Sequence, residues 1–283
     1  MTDQLIHVNG ADLYCHVSGA GRPLFLIPPA GGDGNLFAAL ISELSAEYML
    51  ITYDRRGNSR SPKPGGWTTT SVSEQAEDGA ALLRALNLRQ VAAFGSSGGG
   101  PIVLELALRH PELVGGLFIH EPAFVELMDR AARRALPHSA PIAEAMSLLG
   151  PTAAMESRLK AVVGADVWNQ LDIALRGRLV GNADTLFNIE LPAFATYRIN
   201  EAALGRMQMP VCILLSPTGP EVFAHICRWL VDRVPAAEIE HLPGGHVPYL
   251  ELPGETAQVM RRLLQRLYGE QSPHSGSRAE GIL

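Results

Sequence analysis

The residues best suited to chemistry form the segment 95–99, which reads Gly-Ser-Ser-Gly-Gly. It follows an apolar run at residues 91–94 and precedes an apolar stretch with helical spacing at 101–108. A Gly-x-Ser-x-Gly pattern between a strand and a helix predicts a tight turn that exposes its central serine, here Ser97. Backbone N–H groups at the start of a helix can stabilise negative charge that develops nearby. The pattern therefore predicts Ser97 as a nucleophile, and the alternative is a glycine-rich loop that closes a buried strand.

A serine nucleophile needs a base that takes its proton and an acid that orients the base. His246 is the candidate base, because it lies in a Gly-Gly-His-Val-Pro turn after the last predicted strand. A histidine that follows the serine in chain order, on the final loop, also fits the arrangement used with such turns. The sequence contains nine histidines, so the position of His246, rather than its residue type, supports the role.

The acidic partner has two candidates. The loop after the penultimate predicted strand, residues 216–220, contains no Asp or Glu, and the next acid is Glu221. Glu121 instead ends the apolar strand that follows the helix after Ser97. A carboxylate that leaves an apolar run needs a partner, because an unpaired buried charge is costly. The sequence favours Glu121 as the acid and keeps Glu221 as the alternative, while a structural ion pair is the non-catalytic interpretation of Glu121.

Two backbone N–H groups are expected to stabilise an oxyanion. One belongs to Gly98, directly after the nucleophile, and the other to the loop 28–32, which reads Pro-Pro-Ala-Gly-Gly. Pro29 has no N–H to donate, so Ala30 is the predicted second donor. An ordinary glycine turn before a helix is the alternative interpretation of this loop.

Strand-like and helix-like segments alternate along most of the chain, which is typical of an α/β fold with a mostly parallel sheet and helices on both faces. The opening hairpin is predicted to turn at Asn9-Gly10, a dipeptide favoured in two-residue hairpin loops. Ser73 is predicted to cap the helix over residues 73–88. The eight predicted strands lie at 5–17 (a hairpin), 23–28, 49–54, 91–94, 117–121, 211–215 and 238–242, and the other helices at 36–48, 101–108, 221–234 and 256–267.

Between residues 122 and 200 the alternation stops and the sequence becomes helix-like. This segment is predicted to be a helical cap over the carboxyl ends of the strands, where open α/β sheets bind ligands. The predicted core is then 1–121 and 201–271, the cap 122–200, and the flexible tail 272–283. Seven cap residues are candidates for a substrate-binding wall, although packing within the cap would also explain each of them: Phe124, Met128, Met155, Trp168, Phe187, Phe194 and Tyr197.

Composition argues against several classes of function. The 283 residues are 47% hydrophobic and 18% charged, so a sizeable core is expected. A formal net charge of −6 without a basic stripe argues against nucleic-acid binding. No apolar run approaches the ~20 residues of a membrane-spanning helix, and no N-terminal targeting segment is recognisable. The three cysteines lack metal-ligand spacing, so neither metal nor cofactor is predicted, and a cytoplasmic location is expected.

These residues together resemble the α/β-hydrolase superfamily, and the resemblance covers nearly the whole chain. Residues 54–61 are similar to the superfamily's D-x-R-G-x-G-x-S stretch, with Ser59 in place of a glycine. Within the superfamily the chain is most similar to the zearalenone-type lactone hydrolases. In that group the acid is a glutamate in a His-Glu-x-Pro-like stretch, and the loop after the penultimate strand lacks its Asp. This chain has His120-Glu121-Pro122 and the acid-free loop 216–220.

The resemblance implies Ser97 as nucleophile, His246 as base and Glu121 as orienting acid. The chain departs from the group where Pro29-Ala30 replaces an aspartate-glycine pair, where proline directly follows the glutamate, and in the cap. The predicted function is therefore cofactor-independent hydrolysis of an ester or lactone of a fairly apolar small molecule. A carbon–carbon bond hydrolase, a biosynthetic cyclase or dehydratase, and a ligand receptor remain alternatives, and the chain could act as a homodimer.

Overall fold

The computed structural model describes residues 2–128, 139–235 and 237–269. Eight strands form one sheet in the order β1-β2-β4-β3-β5-β6-β7-β8. Strand β2 runs antiparallel to both of its neighbours, and all other neighbouring strands are parallel. The strands are β1 Thr2–Val8, β2 Ala11–Ser18, β3 Arg22–Ile27, β4 Tyr48–Tyr53, β5 Val91–Ser96, β6 Val114–His120, β7 Val211–Leu215 and β8 Ala237–His241.

Helices cover both faces of the sheet, as predicted, because side chains alternate between the two faces along each strand. Phe25 and Ile27 of β3 pack into the core on one face, together with residues of the helices Val72–Ala85, Gly99–Arg109 and Glu221–Val231. Leu24 and Leu26 pack on the other face against the helices Ala38–Leu44 and Pro253–Tyr268. The α-helices described are α1 Ala38–Leu44, α2 Val72–Ala85, α3 Gly99–Arg109, α4 Ser139–Leu149, α5 Pro151–Val163, α6 Ala165–Gln170, α7 Ile173–Gly181, α8 Ala183–Thr185, α9 Leu191–Thr196, α10 Glu201–Leu204, α11 Glu221–Val231, α12 Pro248–Glu251 and α13 Pro253–Tyr268.

Two local predictions have different outcomes. The hairpin turns at Asn9 and Gly10, both with positive φ (48° and 71°), as a two-residue turn of this kind requires. The prediction that Ser73 caps α2 is wrong by two residues. Ser71 is the last extended residue before the helix, and its hydroxyl accepts a hydrogen bond from the Glu74 N–H at 2.9 Å. Ser73 already lies inside α2.

Helices α4 to α9 occupy the segment predicted as the cap, with a 3₁₀ turn at Val125–Leu127 before them and a π-helical turn at Leu186–Glu190 between α8 and α9. The buried carboxylate of Glu190 fastens this segment to the core. It accepts hydrogen bonds from Arg55 at 2.9 Å, from Asn58 at 2.8 Å and from the Gly31 N–H at 3.4 Å. This segment, predicted as the cap, is therefore fastened to the loops that follow β3 and β4.

The predicted flexible tail, residues 272–283, lies outside the residues that the structure describes. Within the described ranges, no helix combines the length and apolar character needed to cross a membrane.

Candidate active site

Ser97 lies on a sharp turn between β5 and α3. Its φ of 51° is in the left-handed region, which a non-glycine residue adopts only at a cost in energy. The neighbouring glycines leave no room for side chains. A Cβ atom on Gly95 would overlap the Gly99 carbonyl oxygen and lie 2.6 Å from Val103 Cγ1, and one on Gly99 would lie 2.5 Å from the Ile27 carbonyl oxygen. The Gly-x-Ser-x-Gly spacing is thus required by close backbone packing.

Backbone hydrogen bonds tie the Ser97 turn to the chain on either side of Glu121. The Ser97 N–H donates to the carbonyl of His120 at 2.9 Å, and the Ser97 carbonyl accepts from the Ala123 N–H at 3.0 Å. Strands β5 and β6 are adjacent and parallel, so their carboxyl ends meet at one edge of the sheet. The predicted nucleophile and the favoured acid are therefore held side by side.

The Glu121 side chain is fully buried and paired. Its Oε2 lies 2.6 Å from His246 Nδ1, and its Oε1 accepts a hydrogen bond from the Ser216 N–H at 3.0 Å. Glu121 has a φ of 38°, so the chain turns sharply as it leaves β6. The His246 ring stacks on Phe223, with ring centres 4.4 Å apart and planes within 10°, and its side chain remains 13% exposed. The imidazole is thus oriented by a carboxylate and an aromatic ring while one edge stays accessible.

Glu221, the alternative acid, lies elsewhere. Its side chain is 81% exposed and forms an ion pair with Arg228 at 3.1 Å, on the surface of α11. The acid-free loop after β7 instead surrounds Glu121, because it contributes the Ser216 N–H and brings Gly219 against the carboxylate.

No hydrogen bond joins the Ser97 hydroxyl to His246, both of which belong to the described part of the chain. The Ser97 residue is 9% exposed, so its hydroxyl sits in a largely enclosed position. Contacts between a nucleophile and its base are often loose in a free enzyme and tighten when substrate binds. For the predicted roles, a hydrogen bond between Ser97 and His246 would have to form when substrate binds.

Ala30 and Gly98 approach each other beside Ser97. A Cβ atom on Gly98 would lie 2.8 Å from the Ala30 nitrogen. Neither backbone N–H donates to another group among the described residues. The loop that carries Ala30 bends through Gly31 and Gly32, with φ of 97° and 61°, and Arg55 donates to the Pro29 carbonyl at 3.0 Å. Two unused N–H donors thus lie where the sequence predicts an oxyanion site.

The seven wall candidates fall into separate groups. Phe124, Met128 and Phe194 are buried in the core cluster on the α2–α3 face. Met155 and Trp168 are buried in the cluster on the opposite face, and Phe187 packs half-buried against it. Five of these six side chains are therefore buried in the two clusters and Phe187 lies half-buried against one of them, and their role as a substrate wall stays a prediction.

Met155 and Tyr197 contact different parts of the core. The Met155 Cε lies 3.1 Å from the position that a Cβ of Gly31 would occupy, so this side chain touches the predicted oxyanion loop. Tyr197 donates a hydrogen bond to Glu105 at 2.9 Å and lines a cleft of about 560 Å³ between α2, α3 and the end of the cap. Ser97 and His246 do not line that cleft.

Two neighbours of the acid–base pair were not predicted. Phe223, which stacks on His246, gives no sequence signal, because an aromatic residue on an amphipathic helix is ordinarily a core residue. Ser216 could have been found, because it follows the penultimate strand at the place where an acid is usually expected.

Within the described ranges, no cluster of three or more His, Cys, Asp or Glu residues could hold a metal ion.

Comparison with known proteins agrees with this architecture. A family model described as alpha/beta hydrolase fold matches residues 22–141. The chain is 26% identical over 267 residues to the "Uncharacterized hydrolase YraK" of Bacillus subtilis (strain 168), which covers 92% of this chain and 95% of that protein. It is 24% identical over 264 residues to the zearalenone hydrolase of Bionectria ochroleuca, with 91% and 96% covered.

A solved structure of a thermophilic esterase from Thermogutta terrifontis has a TM-score of 0.74 and 19% identity to this chain, with 94% of this chain and 100% of that chain covered. The sheet, its helices and these similarities define a hydrolase built on the α/β fold. The family match and the similarity to a zearalenone hydrolase confirm the resemblance to the α/β-hydrolase superfamily and, within it, to lactone hydrolases.

Proposed function

We propose that the protein is a serine hydrolase that cleaves an ester or lactone of a fairly apolar small molecule through Ser97, His246 and Glu121. One observation carries the proposal. The buried Glu121 carboxylate lies 2.6 Å from His246 Nδ1, at the edge of the sheet where the strained Ser97 turn is hydrogen-bonded to residue 120. A serine, an imidazole and a carboxylate can act together in acyl transfer when the imidazole lies between the other two groups.

In the first half of the proposed reaction, the Ser97 oxygen attacks the substrate carbonyl and its proton passes to His246 Nε2. Glu121 stabilises the imidazolium through the hydrogen bond at Nδ1, which also fixes the tautomer that has a free Nε2 lone pair. Negative charge forms on the carbonyl oxygen, where the N–H groups of Ala30 and Gly98 can donate to it. The imidazolium then protonates the departing alkoxide, and an acyl-serine remains.

In the second half, His246 takes a proton from water, and the resulting hydroxide attacks the acyl-serine. The same two N–H groups stabilise the second oxyanion. When this intermediate breaks down, the proton returns from His246 to the Ser97 oxygen and the carboxylic acid leaves. With a lactone as substrate, the alcohol and the acid are two ends of one product.

The character of the substrate is inferred from the surroundings of the oxyanion loop. Met155 touches that loop, and the half-buried Ala30 of the loop packs against the apolar cluster to which Met155 and Trp168 belong. Apolar groups of this kind favour a substrate with an apolar body. The similarity to a zearalenone hydrolase supports the lactone class.

The test compares wild-type protein, Ser97→Ala and the surface control Ser42→Ala in steady-state hydrolysis of aryl esters and a panel of lactones. We expect many turnovers per wild-type molecule, an unchanged rate for Ser42→Ala and a loss of about a million-fold for Ser97→Ala. Mass spectrometry of protein treated with an organophosphate ester should find the phosphoryl group on Ser97. Activity of Ser97→Ala within tenfold of wild type would contradict the proposal, and a single turnover would favour a receptor.

A further inference from the structure

A second histidine lies directly behind the acid–base pair. His120 ends β6 and is completely buried. Its Nδ1 is 3.1 Å from the Ser96 hydroxyl, and its Nε2 is 3.0 Å from the Ser216 hydroxyl. Both ring nitrogens therefore have a hydroxyl partner, although neither partner belongs to the three residues assigned to the reaction.

The two serines hold different parts of the site. Ser96 directly precedes the nucleophile, in the last position of β5. Ser216 donates its backbone N–H to Glu121 Oε1 at 3.0 Å. His120 thus connects the turn that carries Ser97 with the loop that holds the carboxylate.

The surroundings of His120 favour an uncharged ring. Burial lowers the pKa of His120 well below its usual range, and the neighbouring His246, whose ring centre is 6.0 Å away, lowers it further. The other groups that face this cluster are the Tyr249 hydroxyl, 3.5 Å from Ser96 Oγ, and the carboxylate of Glu121. A neutral imidazole has one donor and one acceptor, which matches two hydroxyl partners.

Resting on the proposed function, we propose that His120 is a positioning residue that holds the Ser97 turn and the Glu121 carboxylate in one hydrogen-bonded unit. It does not touch the reacting atoms. Its effect passes through Ser216 to Glu121, and from Glu121 to His246. When His246 accepts a proton, the carboxylate must stay in contact with Nδ1, and the His120–Ser216 hydrogen bond restrains the loop that keeps it there.

The experiment uses three variants of the full chain and one matched control. Ser216→Ala removes the hydroxyl but keeps the backbone N–H that donates a hydrogen bond to Glu121. Ser96→Ala removes the other partner, and His120→Gln retains an amide that cannot reach both serines. His225→Gln, at an exposed position of α11, is the control for a histidine-to-glutamine change. Circular dichroism and a thermal melt establish that each variant is folded.

Three readouts are compared: kcat and KM for an aryl ester, the pH dependence of kcat/KM, and the low-field ¹H NMR signal of His246 Nδ1–H, assigned by its loss in Glu121→Gln. We expect Ser216→Ala to lower kcat about tenfold, with KM within about twofold. The midpoint of the acidic limb should move to lower pH, because a loosened carboxylate stabilises the imidazolium less. The NMR signal should move upfield, and His120→Gln should show larger effects of the same kind.

The proposal is overturned if folded Ser216→Ala and His120→Gln keep the wild-type pH midpoint and NMR signal, whatever their kcat. A loss of kcat alone would indicate a purely structural histidine. Failure of the proposed function is distinguishable, because it would appear as an active Ser97→Ala, whereas the NMR signal reports the positioning without any turnover.

Discussion

Gly219 lies directly against the Glu121 carboxylate, so that a Cβ atom on residue 219 would overlap Oε1. The same oxygen accepts the Ser216 N–H, and the other carboxylate oxygen contacts His246 Nδ1. The loop after the penultimate strand, where the sequence offers no acid, is therefore shaped around an acid from the adjacent strand. The loop contributes no carboxylate of its own, and its glycine leaves room for the carboxylate of Glu121.

Gly219→Ala should displace the Glu121 carboxylate and lower kcat by about a hundredfold, because a shift of about 1 Å in a catalytic group can have an effect of that size. The backbone at Gly219 needs no glycine-specific φ, so the variant should fold. Gly65→Ala is the control, since a Cβ there meets no atom within 4 Å. Equal kcat values for both variants would show that the close approach has no role in the reaction.

Glu121→Gln should lower kcat by about ten thousandfold, because it removes the charge that stabilises the His246 imidazolium and can favour the wrong tautomer. Glu221→Gln should have little effect, because Glu221 is exposed and, among the described residues, forms an ion pair with Arg228. Both variants are measured in one assay at one pH, with folding checked by circular dichroism. An inactive Glu221→Gln beside an active Glu121→Gln would move the acid to the loop after β7.

The lowered pKa of His120 predicts a pH-dependent contribution to stability. In the unfolded chain His120 returns to a pKa of about 6.5, whereas the folded protein keeps it neutral at that pH. Below this pH the unfolded chain binds a proton that the folded protein does not, so stability falls as the pH decreases. Between about pH 7.5 and about pH 5.5, wild type should therefore lose more unfolding free energy than His120→Gln.

Urea unfolding at the two pH values measures this difference, with His225→Gln as the reference. His225→Gln should follow wild type, because His225 is exposed. A difference between wild type and His120→Gln that stays constant over this range would mean that His120 titrates normally in the folded protein.

Glu190→Gln should destabilise the protein by on the order of 3 kcal/mol, because it leaves the buried Arg55 guanidinium without its counter-charge. Asp184→Asn, which breaks an exposed pair with Lys63, should change the free energy of unfolding by less than about 1 kcal/mol. Denaturant unfolding measures both values. Similar small changes for the two variants would mean that the Glu190–Arg55 pair contributes no more than a surface ion pair.

Much of the fold follows from local patterns in the sequence. The apolar strands, the Asn9-Gly10 turn and the glycines around Ser97 each fix a backbone conformation through nearby residues alone, and the structure has these elements where they were predicted. The Ser73 prediction failed because Ser71 and Ser73 both precede the helical pattern, and only the backbone shows which of the two is still extended.

Long-range relationships were harder to predict. The stacking of Phe223 on His246 joins residues on separate elements, and neither residue type predicts the contact. The hydrogen bonds of His120 also depend on the register of β5, β6 and β7, which a single sequence does not give. Tyr197 follows the last residue of α9 in an extended conformation, and its hydroxyl donates to Glu105 on α3. No periodic pattern in the predicted cap indicates where this side chain points.

The attachment of Glu190 also limits how this enzyme could acquire new specificity by recombination. A foreign cap transplanted onto this core would cover Arg55 and Asn58 without the carboxylate that accepts from both, unless it carried an acid at the equivalent place. The Gly31 N–H, in the predicted oxyanion loop, would lose its acceptor as well. Chimeras that exchange residues 139–181 and retain the native 182–200 segment would keep this junction intact, and they offer the safer route to hybrid enzymes.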